Sequence, residues 1–596
     1  MLLLDQYVRL YRLCPGASVA LEMELSLEEI ASILCCTLRN ATITVKKMQT
    51  HRWLHWQPGR GRGKRSSLTF FYRPEDLVFA VAKERVQMGE IQASRTIVER
   101  YREELPQLAD RYQRWMNSQF GLHQSGQGQR RVDTLRLCYS SPFPVLDPVY
   151  KLLYSEAHLV GHVFDCLVCY DPNQGKIVPR LAFYWESDGI GQEWTFYLRK
   201  GVLFHHGRTL TAADVCFSLL RLREAEPRSP HRWMAKGIKE VMAVDDSTVR
   251  VRLREPNRLF LHYLSKVCMA IVPQDYTEQM GDEFRRYPVG SGPFRVVRND
   301  DSMLVLEAFE AYFGERAFLD RVEIWVVPEL PIADGEQALG IAYASADAQE
   351  SQLFPSSWMS TVQTEQSFQY LSFNMAKSGP LESVSFRRLL ASILDPHAMI
   401  RELGGSREAA DVLPIAASDG AFVHRLQKES SYDGETLHLY TYPDPDHAED
   451  ANWIQKRCAR FDIPVEVCFR SPRELADPAK QREADLILDS ASVDEREELS
   501  LVEFLYGDTG SLRHHLSSDF MRKLDALVSE MLQSNSAQER ADTIAGIKKL
   551  LWQERAFLPL YRNRIEVLSH PGLHGIHLDA HGWVDFRRVF VKSPTR

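Results

Sequence analysis

The sequence predicts a multidomain chain: a small basic winged helix-turn-helix head followed by a much larger acidic α/β body. Three observations carry this. Between Glu29 and Glu75 there is no acidic residue, yet nine Lys/Arg occur, from Arg39 to Arg73. Residues 1–130 hold 19 Lys/Arg against 13 Asp/Glu, a balance of +6, whereas the remaining 53 and 67 give −14, so the net charge of −8 is divided by sign. From residue 132 onward short strand patterns alternate with helical ones, as in layered α/β folds.

The head can be read element by element. Leu3, Tyr7, Leu10 and Tyr11 share one side of a first helix. Ser26 followed by Glu29 forms a capping box, and Leu27, Ile30, Ala31 and Leu34 then recur at helical spacing. A further helix after Thr37 puts Leu38, Ala41, Val45 and Met48 on an apolar face and leaves Arg39, Asn40, Ile43, Lys46 and Lys47 on the other side. Trp53, Leu54 and Trp56 begin a strand, Pro58 to Arg65 makes a glycine-rich basic turn, and Leu68, Phe70 and Tyr72 resume the alternation. Two helices and a hairpin in this order make a helix-turn-helix with a β wing.

That arrangement points to duplex DNA. In a major groove Arg39 suits guanine, Asn40 suits adenine, and Ile43 can meet a thymine methyl, with Lys46 and Lys47 on the same face. The wing residues Arg60, Arg62, Lys64 and Arg65 can neutralise phosphates or enter a narrow minor groove, and the glycines between them let the main chain approach. A nucleotide-binding loop is excluded by spacing, because Arg65 stands where the magnesium-binding hydroxyl belongs.

The chain of 596 residues has room for three or four domains, and 44% apolar with 26% charged residues is an ordinary globular balance. The first residues lack the apolar core and cleavage site of an export signal, and no apolar run is long enough for a membrane span. The expectation is a soluble, cytoplasmic protein without membrane partners. Ten cysteines fall without framework spacing, and Cys166 and Cys169, the one C-x-x-C, read as core packing. Neither HExxH nor GxSxG occurs, so no catalytic residue, metal or cofactor is expected and the chain is not read as an enzyme.

Residues 75–120 read as helices that extend the head, either propping it or mediating dimerisation or signal relay, so that 1–120 is the DNA-binding domain. Gly121 to Arg131, polar and rich in Gly and Gln, reads as a linker. The body is 132–596. It starts with a strand at Thr134–Tyr139, and Tyr154 to Cys169 reads as a helix leading to a turn at Asp171–Asn173.

The body carries long motifs: Pro179-x-Leu181-Ala182, Trp185-Glu186-x-Asp188-Gly189, Trp194 through Gly207, Leu210-Thr211-Ala212-x-Asp214, Pro288 through Phe294, Leu371 through Asn374, Phe386-Arg387, and Phe557 through Tyr561. These resemble the family 5 solute-binding proteins, the oligopeptide, dipeptide and nickel receptors of bacterial ABC transporters. The resemblance implies two lobes around a ligand cleft, with the second lobe at approximately 376–560. It implies that Tyr139, Ser141 and Asn374 line the cleft and that Asp494 matches the carboxylate that holds a peptide ammonium in peptide receptors. The Gly-Trp usual before that carboxylate is replaced by Ser490-Ala491-Ser492. His205 and His206 read as structural or solvent-facing.

With Met48-Gln49, Trp53-Leu54-x-Trp56, Gly61 through Arg65, Leu68-Thr69-Phe70 and Gly582-Trp583-x-Asp585-Phe586, the chain resembles the SgrR family of transcriptional regulators. One departure is Arg52, where the family usually has glycine after the recognition helix. The resemblance implies a cytoplasmic activator type of regulator that senses a small molecule, a sugar phosphate being one ligand class. RNA polymerase and a second copy of the chain are compatible further partners. The alternative reading is a solute or peptide receptor of an ABC transporter.

Overall fold

In the computed structural model the described residues are 2–592 apart from 60–65, 127–130, 226–228, 329–340, 346–355, 411, 413–431, 492, 495 and 508–509. The head opens with α1 (Leu2–Leu13), which buries Leu4, Tyr7, Val8 and Leu10. After β1 (Glu22–Leu25), α2 (Leu27–Ile33) starts on its capping box: the Glu29 N–H donates to Ser26 Oγ at 3.1 Å, and the Ser26 N–H donates to the Glu29 carboxylate at 2.7 Å. α3 (Leu38–Thr50) is capped by the Thr37 hydroxyl. Its buried stripe is Ala41, Thr44, Val45 and Met48, whereas Leu38, expected on that face, stands 45% exposed at the first helical position, on the edge of the stripe.

α3 ends without the usual glycine. Arg52 adopts φ +57, and the Trp53 N–H reaches back to the Met48 carbonyl at 2.9 Å, closing the helix as a left-handed cap would. The wing pairs β2 (Leu54–Gln57) with β3 (Ser66–Phe70) in the register Leu54 to Phe70 and Trp56 to Leu68. β1 adds to the other edge of β3, so the wing is a three-stranded sheet in the order β1-β3-β2. That third strand has only four residues, of which Leu25 alone is buried, too brief a pattern to announce itself. Tyr7, fully buried, donates its hydroxyl to the Tyr72 carbonyl at 2.7 Å and packs edge-on to Trp53 and Phe70, pinning α1 to both ends of the wing.

Three further helices follow: α4 (Pro74–Gln87), α5 (Ile91–Arg100) and α6 (Pro106–Asn117), with Pro74 and Pro106 at their starts. Arg100 pairs with Asp5 of α1 at 2.8 Å, and the three helices share one apolar core with the head. Residues 121–131, expected as a linker, instead open with β4 (Gly121–Ser125), which pairs antiparallel with β5 (Val132–Tyr139). Leu122 is buried opposite Leu135, while the other residues give the edge strand a linker's composition.

β5 sits in a five-stranded sheet, parallel to Arg321–Val326, with Met303–Ala308 and Phe294–Asn299 beyond it. A four-stranded antiparallel sheet carries Ala182–Ser187, Glu193–Leu198, Ile238–Asp245 and Thr248–Leu253; its inner row includes Trp194, Phe196 and Leu198. These two sheets make lobe I. Lobe II is built on a second mixed sheet, in which Leu437–Thr441 runs parallel to Val465–Phe469 and Leu486–Ala491, next to Phe368–Phe373. The long strand Phe557–Ser569 joins the lobes: Leu558, Leu560 and Tyr561 lie in the core of lobe II, and Val567 in that of lobe I. The chain then returns to lobe I, where Leu573, Val584, Phe586 and Val589 are buried.

Candidate nucleic-acid interface and interlobe cleft

The buried stripe of α3 fixes where its other side chains point. Arg39, Asn40, Ile43, Lys46 and Lys47 are all exposed, and among the described residues none of the three cations is paired with a carboxylate. Ile43 is 44% exposed, so its aliphatic side chain is open to contact on the same face as the cations. Arg60, Arg62, Lys64 and Arg65 lie outside the described residues; the strands that flank them are in place on either side.

The head is joined to lobe I through packed side chains. Met303, Val305 and Trp325 of the five-stranded sheet, with Val327 just past its strand end, belong to the apolar core of the head. Phe120 meets Trp325 edge-on at 5.6 Å, Gln92 donates to the Val326 carbonyl at 3.2 Å, and Arg298 donates to the Gly89 carbonyl at 2.9 Å. Gly89 has φ +77, a backbone conformation that calls for glycine in this turn. Residues 75–120 therefore connect the wing to one lobe, a role the sequence reading left open.

Between the lobes lies a cluster of charge. Lys266 of lobe I reaches into lobe II, with its ammonium 2.8 Å from Glu503 and 3.3 Å from Asp494. Arg496 of lobe II grips Asp494 and donates to Ser265 of lobe I at 2.8 Å, and its guanidinium lies over Tyr170 at 5.1 Å. Burial works against the charges, but Glu503 and Asp494 outweigh it and raise the Lys266 pKa, while Lys266 and Arg496 hold Asp494 far below the usual carboxylate range. Nearby, His581 stacks on Tyr154 at 4.7 Å, and the Arg258 N–H donates to the Leu532 carbonyl at 2.8 Å across the lobes.

Against this geometry the expected cleft residues divide. Tyr139 is half-buried, stacked on Phe143 and tilted toward Trp583, at the lobe I edge; Ser141 beside it is exposed. Asn374 is corrected: it is 1% exposed, donates to the Arg482 and Ala484 carbonyls, and accepts from the Ala376 and Lys377 N–H groups, which leaves no edge for a ligand. Asp494 faces the other lobe, but on cations of this same chain. Lys266, Glu503, Arg496 and Tyr154 escaped the sequence reading; Lys266 and Asp494 are 228 positions apart, and no local pattern links them.

The motif residues prove architectural. His205 accepts from the Gly290 N–H at 3.2 Å and sits 3.0 Å from the Gly292 carbonyl, stitching two motifs together. A Cβ on Gly290 would lie 2.1 Å from the Val163 carbonyl oxygen, so the close approach requires glycine. Cys166 and Cys169 are both free thiols. The buried histidines are held neutral: burial lowers His158, which stacks on Trp583, to about 4, and does the same to His205 and His515. Each stays neutral in the native state while the unfolded chain titrates near 6.5. Stability is therefore complete above that value and lost as pH falls toward 4, by about 2 kcal/mol per group at pH 5. Urea melts at pH 7.5 and 5.0 check this; His158→Phe, which keeps the stacking, is expected to recover about that much of the loss. An unchanged pH slope in the variant would sink the assignment.

A helix-turn-helix with a sheet wing, packed on one lobe of a two-lobed α/β binding body, defines the class. The model of the bacterial extracellular solute-binding proteins, family 5, matches residues 176–512, and that of the sugar transport-related sRNA regulator N-terminal domain matches 2–121. Over the whole chain, similarity runs to an uncharacterized protein of Bacillus subtilis, YhjP, at 33% identity with both chains fully covered. The HTH-type transcriptional regulator SgrR of Yersinia enterocolitica is 28% identical over 99% of this chain and 98% of its own. Among solved structures, the dipeptide-binding protein of a Pseudoalteromonas species superposes with TM-score 0.67 at 17% identity, and DppA of Helicobacter pylori with 0.65 at 20%; each covers 77% of this chain, and 100% and 98% of its own. The chain belongs to family 5 of the solute-binding proteins and, by its head, to the SgrR family.

Proposed function

We propose that this chain is a cytoplasmic, ligand-responsive transcriptional regulator: the head binds promoter DNA, and closure of the body on a small molecule alters that binding or its consequence for transcription. The observation that carries the reading is α3, with one face buried in the head and Arg39, Asn40, Ile43, Lys46 and Lys47 exposed on the other. The join of the head to lobe I supports the coupling, because lobe II then moves relative to a unit made of head and lobe I. A ligand shifts the population only by binding one arrangement of the lobes better than the other. A sugar phosphate is one ligand class in view, and SgrR proteins are the relatives that raise it.

The wing provides the test of the DNA-binding half. With Arg60, Arg62, Lys64 and Arg65 all replaced by alanine, binding to every duplex weakens alike, and the slope of log K against log salt becomes shallower by up to about 4, since each lost phosphate contact removes roughly 0.9. Salt titrations on operator and random DNA measure it. An unchanged slope would take the wing out of the interface.

A further inference from the structure

The charge cluster between the lobes goes beyond the proposed sensing role and rests on it, because it concerns which ligands the cleft admits. The host is two carboxylates of lobe II, Asp494 and Glu503, whose side chains are 11% and 19% exposed. Its guest is the Lys266 ammonium, 17% exposed and contributed by lobe I. With Arg496 also on Asp494, the two carboxylates are each in direct contact with a cation. A second ammonium brought here would add a further positive charge to a site mostly shielded from water; removing Lys266 would take from Glu503 the cation it touches, 2.8 Å away.

We infer that Lys266 is a tethered occupant of an ammonium subsite, which reserves the cleft for ligands that carry no amine at this point. Lys266 is in this sense a specificity-determining residue: it excludes free peptide N-termini and simple alkylamines by already filling their place.

Chemical complementation tests this on the full chain. Lys266→Ala removes three methylenes and the ammonium, and n-propylammonium supplies them. The expected result is that Lys266→Ala melts below the wild type and regains melting temperature in a saturable way with n-propylammonium but not with n-propanol. The wild type, and Lys266→Met, whose stem fills the space, show no such gain. Trialanine, a peptide with a free N-terminus, is expected to bind Lys266→Ala at least about ten-fold more tightly than the wild type, a difference of roughly 1.4 kcal/mol. Equal responses to amine and alcohol, or an equal response in the wild type, overturn the inference. Should Lys266→Ala not fold, a double-mutant cycle of Lys266→Met and Glu503→Gln decides: the inference requires the double variant to lose less stability than the sum of the singles, and additive losses overturn it. Failure of the sensing role is seen separately, as DNA binding by the wild type that no metabolite alters while the amine complementation still succeeds.

Discussion

Replacing Arg39 and Asn40 together with alanine is expected to erase most of the head's preference for its operator over random duplex while leaving random binding within a few-fold of wild type. Both side chains project from the exposed face of α3, whose opposite face is locked into the core by Ala41, Val45 and Met48. A bidentate contact to a base edge discriminates by about 1–3 kcal/mol, so the pair is worth roughly 2–6 kcal/mol of specificity. Random-sequence affinity depends instead on phosphate contacts, which this variant spares. The measurement is competition binding at fixed salt, against an operator obtained by genomic footprinting. Equal losses on operator and random DNA would refute base reading by this helix.

Trp325→Ala is expected to separate the head from the body. The Trp325 ring is 5% exposed, lies in the apolar core that the head shares with lobe I, meets Phe120 edge-on and carries the Arg136 guanidinium at 5.3 Å. Truncating a buried aromatic of this kind costs about 3–5 kcal/mol, and here the cavity opens at the seam. Calorimetry of the wild type should show head and lobe I melting together; the variant should show the head melting earlier as its own transition. DNA affinity should survive at temperatures below that transition, whereas its response to ligand should be lost. A variant that keeps both a single transition and the ligand response would show that coupling does not pass through this seam.

Much of the head was legible because its signals are local. A capping box at Ser26 and Glu29, helical spacing from Ala41 to Met48, and strand alternation at Leu68 and Phe70 each lie within a few residues, and the structure realises them where those residues stand. The edges misled: Leu38 fits the apolar pattern but sits at a helix start, and residues 121–125 have a linker's composition because in this edge strand Leu122 is the one apolar side chain to bury, while Gln124 and Ser125 stay in solvent. Arg52 shows the limit of a residue preference, since the helix closes in the left-handed region without glycine. In the body, the motif from Trp194 to Gly207 identified the fold, and its residues turned out to serve packing and turns.

By itself, the sequence determined the order of the parts, the separation of charge between head and body, and the face of α3 that meets solvent, because periodicity and capping act over distances of one or two turns. Tertiary structure alone decided that the helices after the wing seat the head on lobe I, that Asn374 is committed to its own backbone, and that Asp494 meets Lys266 rather than open space. Those outcomes depend on which distant residues are brought within a few ångströms of one another. Burial then sets what each group can do: an amide already surrounded by main-chain partners has nothing left to offer a ligand, and a carboxylate already paired with a lysine from the other lobe has its counter-ion built in.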